Sequence, residues 1–180
     1  ISDNVEDQDM PDIIPNFYGM PIFPIGEQYL GLLWVLHANE IESIYGIVNI
    51  QLVSSHDATN WIRQDVASDR EPILDVGPYG SWDDGQIYSA SKPIKVGDEL
   101  WLYYSGCDQQ HGTRFEYVNC KIGLATQKYH RLASLDGSGI VLTEDIVPDG
   151  KSLHVNYNAN LGEIQVEILQ GGSVVPGYEA

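Results

Sequence analysis

The chain has 180 residues, 43% of them hydrophobic, enough to bury the core of one sizeable domain or of one domain and part of another. Acidic residues outnumber basic ones 26 to 9, a formal net charge of −17, with no cluster of Lys or Arg anywhere in the chain. A surface this negative repels phosphate, which argues against nucleic acid and anionic membrane as partners, and no run of about 18 apolar residues exists to cross a bilayer. The chain opens on Ile1 with neither a basic n-region nor an apolar h-region, from which we expect that an upstream segment has been removed.

Alternation dominates in chain order. The stretches 29–38 (YLGLLWVLHA), 46–55 (GIVNIQLVSS), 86–96, 99–106, 117–126, 151–159 and 162–169 are short and rich in Val, Ile, Tyr and Trp. Each is bounded by Gly, Asp, Asn or Pro, the pattern of strands between turns. No stretch carries a helical period of useful length, so the predicted fold class is all-β. Cys107 and Cys120 flank a polar loop between two predicted strands, where a hairpin would bring them face to face. A disulfide, as in an extracellular or periplasmic protein, and two free buried thiols are both open.

The chain also repeats. Gly26 in "PIFPIGEQYLGLLW" recurs as Gly97 in "KPIKVGDELWLYYS", 71 residues on, and "IQLVSSHDATNW" recurs as "IGLATQKYHRLA", 72 residues on. Each repeat reads as strand, Gly-acid turn, strand, long loop, strand, turn and a short outer strand. Four antiparallel strands in roughly 70 residues is the size of a large β-propeller blade, and repetition of blades protects sheet edges that a lone sheet would expose. The predicted architecture is therefore two antiparallel four-stranded blades, at about 12–75 and 76–136, forming a partial propeller over residues 1–136. Beyond them, Gly/Asn-punctuated stretches without the aromatic repeat predict the start of a β-sandwich over 137–180. Three or four strands fall short of the roughly seven such a sandwich needs, so the chain is expected to be a fragment.

Within "SSHDATNWIR", Ser55, Asp57 and Trp61 follow the S-x-D-x-x-x-W pattern of an Asp-box turn. Its aspartate caps backbone N–H groups while its tryptophan packs between strands. Ala58 stands where such a box has glycine. No G-x-S-x-G elbow, Walker loop, dinucleotide fingerprint, HExxH or paired-Cys zinc site is present. The five histidines at 37, 56, 111, 130 and 154 lack ligand spacing. "SLDGSG" and "VPDGKS" are acidic Gly turns that would attract a cation only weakly. Neither a metal nor a cofactor is expected.

Taken together, "YGMPIFPIGEQYLGLLW", "IQLVSSHDATNWIR", "GSWDDGQIYSASKPIKVGDELWLYYSG", the His-Gly pair at 111–112, "IGLATQKYHRLASL", "GEIQVEIL" and "PGY" resemble the C-terminal part of glycoside hydrolase family 32/43-like five-bladed propellers, with the start of their appended sandwich. In that family carboxylates at the starts of innermost strands, from different blades, form the active site. The resemblance implies that Asp83 or Asp84, ahead of "GQIYSASKPI", supplies one catalytic or substrate-orienting carboxylate, its neighbour facing away by strand alternation. Glycoside hydrolysis needs two such groups, about 5–5.5 Å apart for retention and roughly 6.5–9.5 Å apart for inversion. The other reading is that both aspartates cap a turn.

Asn16 stands close to where the first blade would carry its acid, with only Asp12 upstream; Asn16 can hydrogen-bond a sugar but can neither protonate nor attack. His111, at a loop tip, is a sugar contact or an exposed loop histidine. Trp82, Trp34, Tyr18 and Tyr88 are sugar-stacking faces or filling between sheets, with Trp82, beside the aspartates, the preferred stacker. Two functions follow. In one, the parent is a glycoside hydrolase that binds carbohydrate through Trp82, His111, Asn16 and Tyr18. In the other, the chain is a non-catalytic glycan-binding or structural module. Self-association, or another chain, would then complete the propeller and the sandwich.

Overall fold

The alternating stretches fold as antiparallel strands, with no α-helix among the described residues. The computed structural model describes residues 14–38, 44–63, 70–135, 137–147, 150, 152–159 and 162–180. The ends of the predicted blades at 12 and 136, and the acidic turn residues Asp136 and Asp149, lie outside these. The fold is all-β, as its patterning predicts. Among the described residues no helix is long and apolar enough to cross a membrane.

Two meanders make up the first compact unit, Ile1–Ser134. The first contains β1 (Ile14–Gly19), β2 (Ile22–Ile25), β3 (Gln28–Ala38), β4 (Gly46–Ser55) and β5 (Ile62–Arg63). β1 and β2 both pair antiparallel with β3, which pairs with β4, which pairs with β5. The second contains β6 (Gln86–Ser89), β7 (Ile94–Val96), β8 (Glu99–Cys107) and β9 (Cys120–Lys128). β6 and β7 both pair with β8, and β8 with β9. The predicted strand 86–96 is thus two strands, because Pro93 has no N–H to give the ladder. Pro21 sits in the corresponding break between β1 and β2.

The registers show that the repeat is structural. β2 and β3 turn through Gly26–Glu27, and β7 and β8 through Gly97–Asp98, with φ of +58° and +61° at the two glycines. Left-handed glycine at the first position of a two-residue turn matches the twist of a hairpin. Leu32 opposes Leu52 and Trp34 opposes Ile50. One repeat on, Tyr103 opposes Leu124 and Ser105 opposes Ile122, the same pairs shifted by 71 and 72 residues. A slip of one residue would turn every side chain to the other face.

Strand β3 is apolar along nearly its whole length because both its faces are covered. Leu33, Val35 and Val53 form a cluster on one face under Phe17, Met20 and Trp61. On the other, Leu30, Leu32 and Ile50 pack with Ile87 and Leu102 of the second meander, joined by Trp34, Leu52 and Tyr104. The meanders therefore stack face on face, and a single parallel bridge, Val48 to Gln86, links their ladders. Each of these fully buried aliphatic side chains contributes about 1.5–3 kcal/mol relative to exposure.

Local chemistry shapes the connections. The Asp-box turn forms as expected: Asp57 Oδ1 accepts from the backbone N–H groups of Thr59 (2.8 Å) and Asn60 (2.7 Å), and Trp61 packs against the Leu33 cluster. Those amides, Asn60 first, hold the exposed Asp57 carboxyl far below the usual carboxylate range. Ala58 takes φ of +58°, which a glycine would adopt without strain. The predicted strand 117–126 starts later, at Cys120, because residues 115–117 form a 3-10 turn and Asn119 donates to Asp108 from both its backbone N (2.9 Å) and its side chain (2.9 Å). Cys107 and Cys120 then face each other in register and are joined as a disulfide.

Among its described residues the second unit, Leu135–Ala180, contains one hairpin, β10 (Leu169–Gln170) with β11 (Ser173–Val174). Its turn residues, Gly171 and Gly172, both have positive φ, as a type I′ turn requires. Of the described residues of the predicted strands 151–159 and 162–169, only Leu169, in β10, enters a ladder. Their alternation is real, but Leu153, Val155, Ile164 and Val166 remain exposed. A strand's backbone is stabilised only by a neighbour to pair with.

Because Ile87 belongs to both meanders' packing, Ile87→Ala is expected to cost about 2–5 kcal/mol and to lower the stability of both together, read as one shifted denaturant transition. Reduction of the disulfide, which closes a short loop, should cost about 3 kcal/mol in the same assay. Ala58→Gly should stabilise by about 0.5–1 kcal/mol by relieving left-handed strain.

Candidate functional site

Asp83 and Asp84 do not lie on a strand: they close the turn before β6, and it is the turn that separates their side chains. Asp84 accepts from the backbone N of Gly80 (2.6 Å) and so caps the turn. Asp83 is buried, at 9% exposure. Its Oδ1 accepts from the Ser81 hydroxyl (2.8 Å), its Oδ2 from the Tyr104 phenol (2.8 Å), and its backbone carbonyl from Gly77 N (3.1 Å).

Glycines make room for this corner. A Cβ on Gly106 would sit 2.6 Å from the Asp83 Cβ and 2.8 Å from the Trp82 ring, and one on Gly77 would collide with the Asp83 carboxylate. Trp82 stacks on Tyr104 with ring centres 5.8 Å apart and planes at 23°. The corner is thus a carboxylate fixed by two hydroxyl donors, one of them the phenol of a stacked aromatic pair.

A second cluster forms around His111. Its backbone N donates to Gly46 O (2.9 Å), its Nδ1 lies 2.7 Å from Ile44 O, and its ring meets Tyr18 edge to face at 4.6 Å. The loop of the second meander is thereby fastened to the β3–β4 connection and to β1 of the first. Tyr18 and His111, far apart in the chain, are brought together. Asn16 is exposed on β1, opposite Leu36.

The register corrects the expected match for Asn16. Leu36 is the repeat mate of Cys107, whose partner is Gln86, so Asn16 corresponds to Gln86 and not to Asp83. The position matching Asp83 is Ile13; it and Asp12 fall outside the described residues. Gln86 is the residue that sequence patterning missed: its Nε2 donates to Gln109 O (2.9 Å) and its Oε1 accepts from the Tyr88 phenol (2.7 Å). It ties β6, the strand that follows the Asp83–Asp84 turn, to the His111 loop. Tyr104 and Ser81, the partners of Asp83, were also missed; among the many polar and aromatic residues nearby, nothing in their spacing marks them. Trp34 and Tyr88 fill the space between the sheets: Trp34 meets Tyr88 edge to face at 5.3 Å, and its Nε1 donates to Ser89 Oγ (2.9 Å).

Two phenols here resist ionisation. Burial, and then the Asp83 carboxylate that its hydroxyl contacts, push Tyr104 up to about 12 from 10.0. Burial, and then Tyr18, push Tyr88 up to about 12. Among the described residues no group of three or more His, Cys, Asp or Glu side chains is placed to hold a metal ion.

No protein-family model and no curated protein matches the chain. Two solved structures are similar to it over part of its length. One, a BT0996 complex with RGII, is 14% identical with a TM-score of 0.48; another, described as "Glycoside hydrolase", is 15% identical with a TM-score of 0.44. Each alignment covers 71% of this chain and 41% of the other, so the chain spans about two-fifths of the length of either structure.

The raised phenol pKa values fix a pH window. A folded pKa above the unfolded one contributes stability that is fully present below pH 10 and is lost as pH rises toward about 12. Ultraviolet titration should show two late-ionising tyrosines in the native chain, and denaturant midpoints should fall across that interval. Tyr104→Phe should remove one late step and cost about 1–3 kcal/mol at neutral pH, because it leaves Asp83 Oδ2 short of a donor.

Proposed function

We propose that the chain is part of a carbohydrate-active β-propeller protein, that its two meanders are neighbouring blades, and that glycoside hydrolysis is the activity of the full-length parent. The observation that carries this reading is the pairing of a positioned carboxylate with aromatic faces. Asp83 accepts from the Tyr104 phenol of the Trp82–Tyr104 stack, and the Tyr18–His111 pair is tied to β6, the strand that follows the Asp83 turn, through Gln86 and Gln109. Sugars are bound by aromatic faces against their C–H surfaces and by carboxylates and amides against their hydroxyls. In this reading Asp83 is the catalytic or substrate-orienting carboxylate, with Asp84 shaping its turn. Trp82, His111, Tyr18 and Asn16 contact the glycan, and the second carboxylate comes from another blade.

Residues 137–180 are read as the opening of an appended β-sandwich, since their exposed alternating apolar residues call for a facing sheet. The Cys107–Cys120 disulfide supports an extracellular or periplasmic location.

One observation favours the non-catalytic alternative: both Asp83 oxygens already accept from Ser81 and Tyr104, as in a structural carboxylate. Asp83→Asn in the full-length protein separates the two readings. Loss of turnover by about a thousandfold or more, about 4 kcal/mol, with glycan binding retained assigns Asp83 to the chemistry. Activity within a few-fold of the unaltered protein removes it from the chemistry and leaves a binding module. The carbohydrate reading itself fails if arabinan-, xylan- and fructan-derived oligosaccharides are neither bound nor cleaved; where one is bound, Trp82→Ala should weaken it at least tenfold.

A further inference from the structure

Three contacts hold the His111 ring in one orientation. Its backbone N–H donates to Gly46 O (2.9 Å), its Nδ1 lies 2.7 Å from Ile44 O, and Tyr18 meets it edge to face at 4.6 Å and 69°. Glycines let the loop come this close. At Gly112, whose φ is +89°, a Cβ would stand 2.9 Å from Ile44 O and 2.9 Å from Tyr45 Cδ1. At Gly46 a Cβ would strike His37 O, and at Gly85 the backbone of Gln109. The close approach of the loop to the β3–β4 connection is therefore built into the chain on both sides of the contact.

The contact with Ile44 decides where the imidazole hydrogen sits. A carbonyl oxygen can only accept, so Nδ1 carries the hydrogen. Turning the ring over would set a carbon against the Ile44 oxygen and lose the bond. In the neutral imidazole the other nitrogen is then an acceptor, and Nε2 presents a lone pair. Among the described residues nothing donates to it. A histidine fixed from behind by a carbonyl is also the arrangement of a metal ligand. A metal needs further ligands, and among the described residues no group of three or more His, Cys, Asp or Glu supplies them. The remaining partner for Nε2 is a hydrogen-bond donor brought by a ligand.

We propose that His111 Nε2 is a specificity-determining acceptor, taking a hydrogen bond from one free hydroxyl of a glycan bound beside Tyr18, whose ring is 44% exposed. The proposal rests on the carbohydrate reading for its ligand and goes beyond it in assigning the direction of the bond: the glycan donates and the protein accepts. A sugar in which that hydroxyl is missing or carries a methyl or acetyl group has no hydrogen to give. It leaves Nε2 without a partner on binding, and a site built to pair with a hydroxyl discriminates strongly against the analogue that lacks it.

Long-range proton–nitrogen magnetic resonance on the chain with labelled histidine reads the tautomer without any ligand. The His111 signals, identified by their loss in His111→Asn, should show Nδ1 protonated and Nε2 bare in mildly alkaline solution; a hydrogen on Nε2 overturns the proposal. Binding is measured in the full-length protein, with any further blades in place. The probes are whichever arabinan-, xylan- or fructan-derived oligosaccharide binds and its deoxy analogues, each lacking one hydroxyl. One analogue should bind about tenfold more weakly than the intact sugar. His111→Asn keeps a side-chain N–H in reach of Ile44 O but offers no acceptor at the Nε2 position. It should bind the intact sugar about tenfold more weakly and no longer distinguish it from that analogue. A variant that only loosened the loop would weaken every analogue alike and preserve the difference; that result overturns the proposal, as does undiminished binding by His111→Asn. If the unaltered protein binds none of these oligosaccharides, the carbohydrate reading falls and this ligand with it, whatever tautomer the spectra show.

Discussion

The packing of Ile87 and Leu102 onto Leu32 and Ile50 is the contact on which the rest of the first unit depends. Neither meander can hide both faces of its longest strands alone. A sheet covered on one side leaves an apolar row in water, at roughly 25 cal/mol for each Å² left exposed. Stacking removes that cost for the first meander and fixes the relative position of the two. The turn holding Asp83 and the loop holding His111 inherit their places from that stacking, because each is anchored to a strand taking part in it.

Polar order follows the apolar order. Asp83, Gln86 and Ser89 are all buried at the margin of the joint, each with a hydrogen-bond partner: Tyr104 and Ser81, Gln109 and Tyr88, and Trp34 respectively. A buried polar group without a partner costs about 1–3 kcal/mol, so these side chains have one arrangement that satisfies them. The same satisfaction keeps the Asp83 corner in place.

Two local devices act where the joint does not reach. The Asp57 turn satisfies its own amides in full solvent exposure, and the disulfide closes the β8–β9 loop at its base. Each works through a short sequence separation, and both were foreshadowed in the chain: the turn by its S-x-D-x-x-x-W pattern, the disulfide as one of two open readings of Cys107 and Cys120.

The alternation of residues such as Leu30, Leu32 and Trp34, the recurrence of Gly26 as Gly97, and the Asp57 turn determined by themselves that the chain is all-β, repeated and hairpin-rich, because strand period and turn conformation are set within a few bonds. The same local rule misled at 151–159 and over most of 162–169, where alternation exists but, among the described residues, only Leu169 joins a ladder. Only tertiary structure decided that Tyr104 and Ser81 hold Asp83, that Gln86 and not Asp83 is the mate of Asn16, and that Tyr18 meets His111. Those outcomes depend on register and on stacking between segments up to about ninety residues apart. Spacing along a chain carries no record of which faces will meet across a sheet.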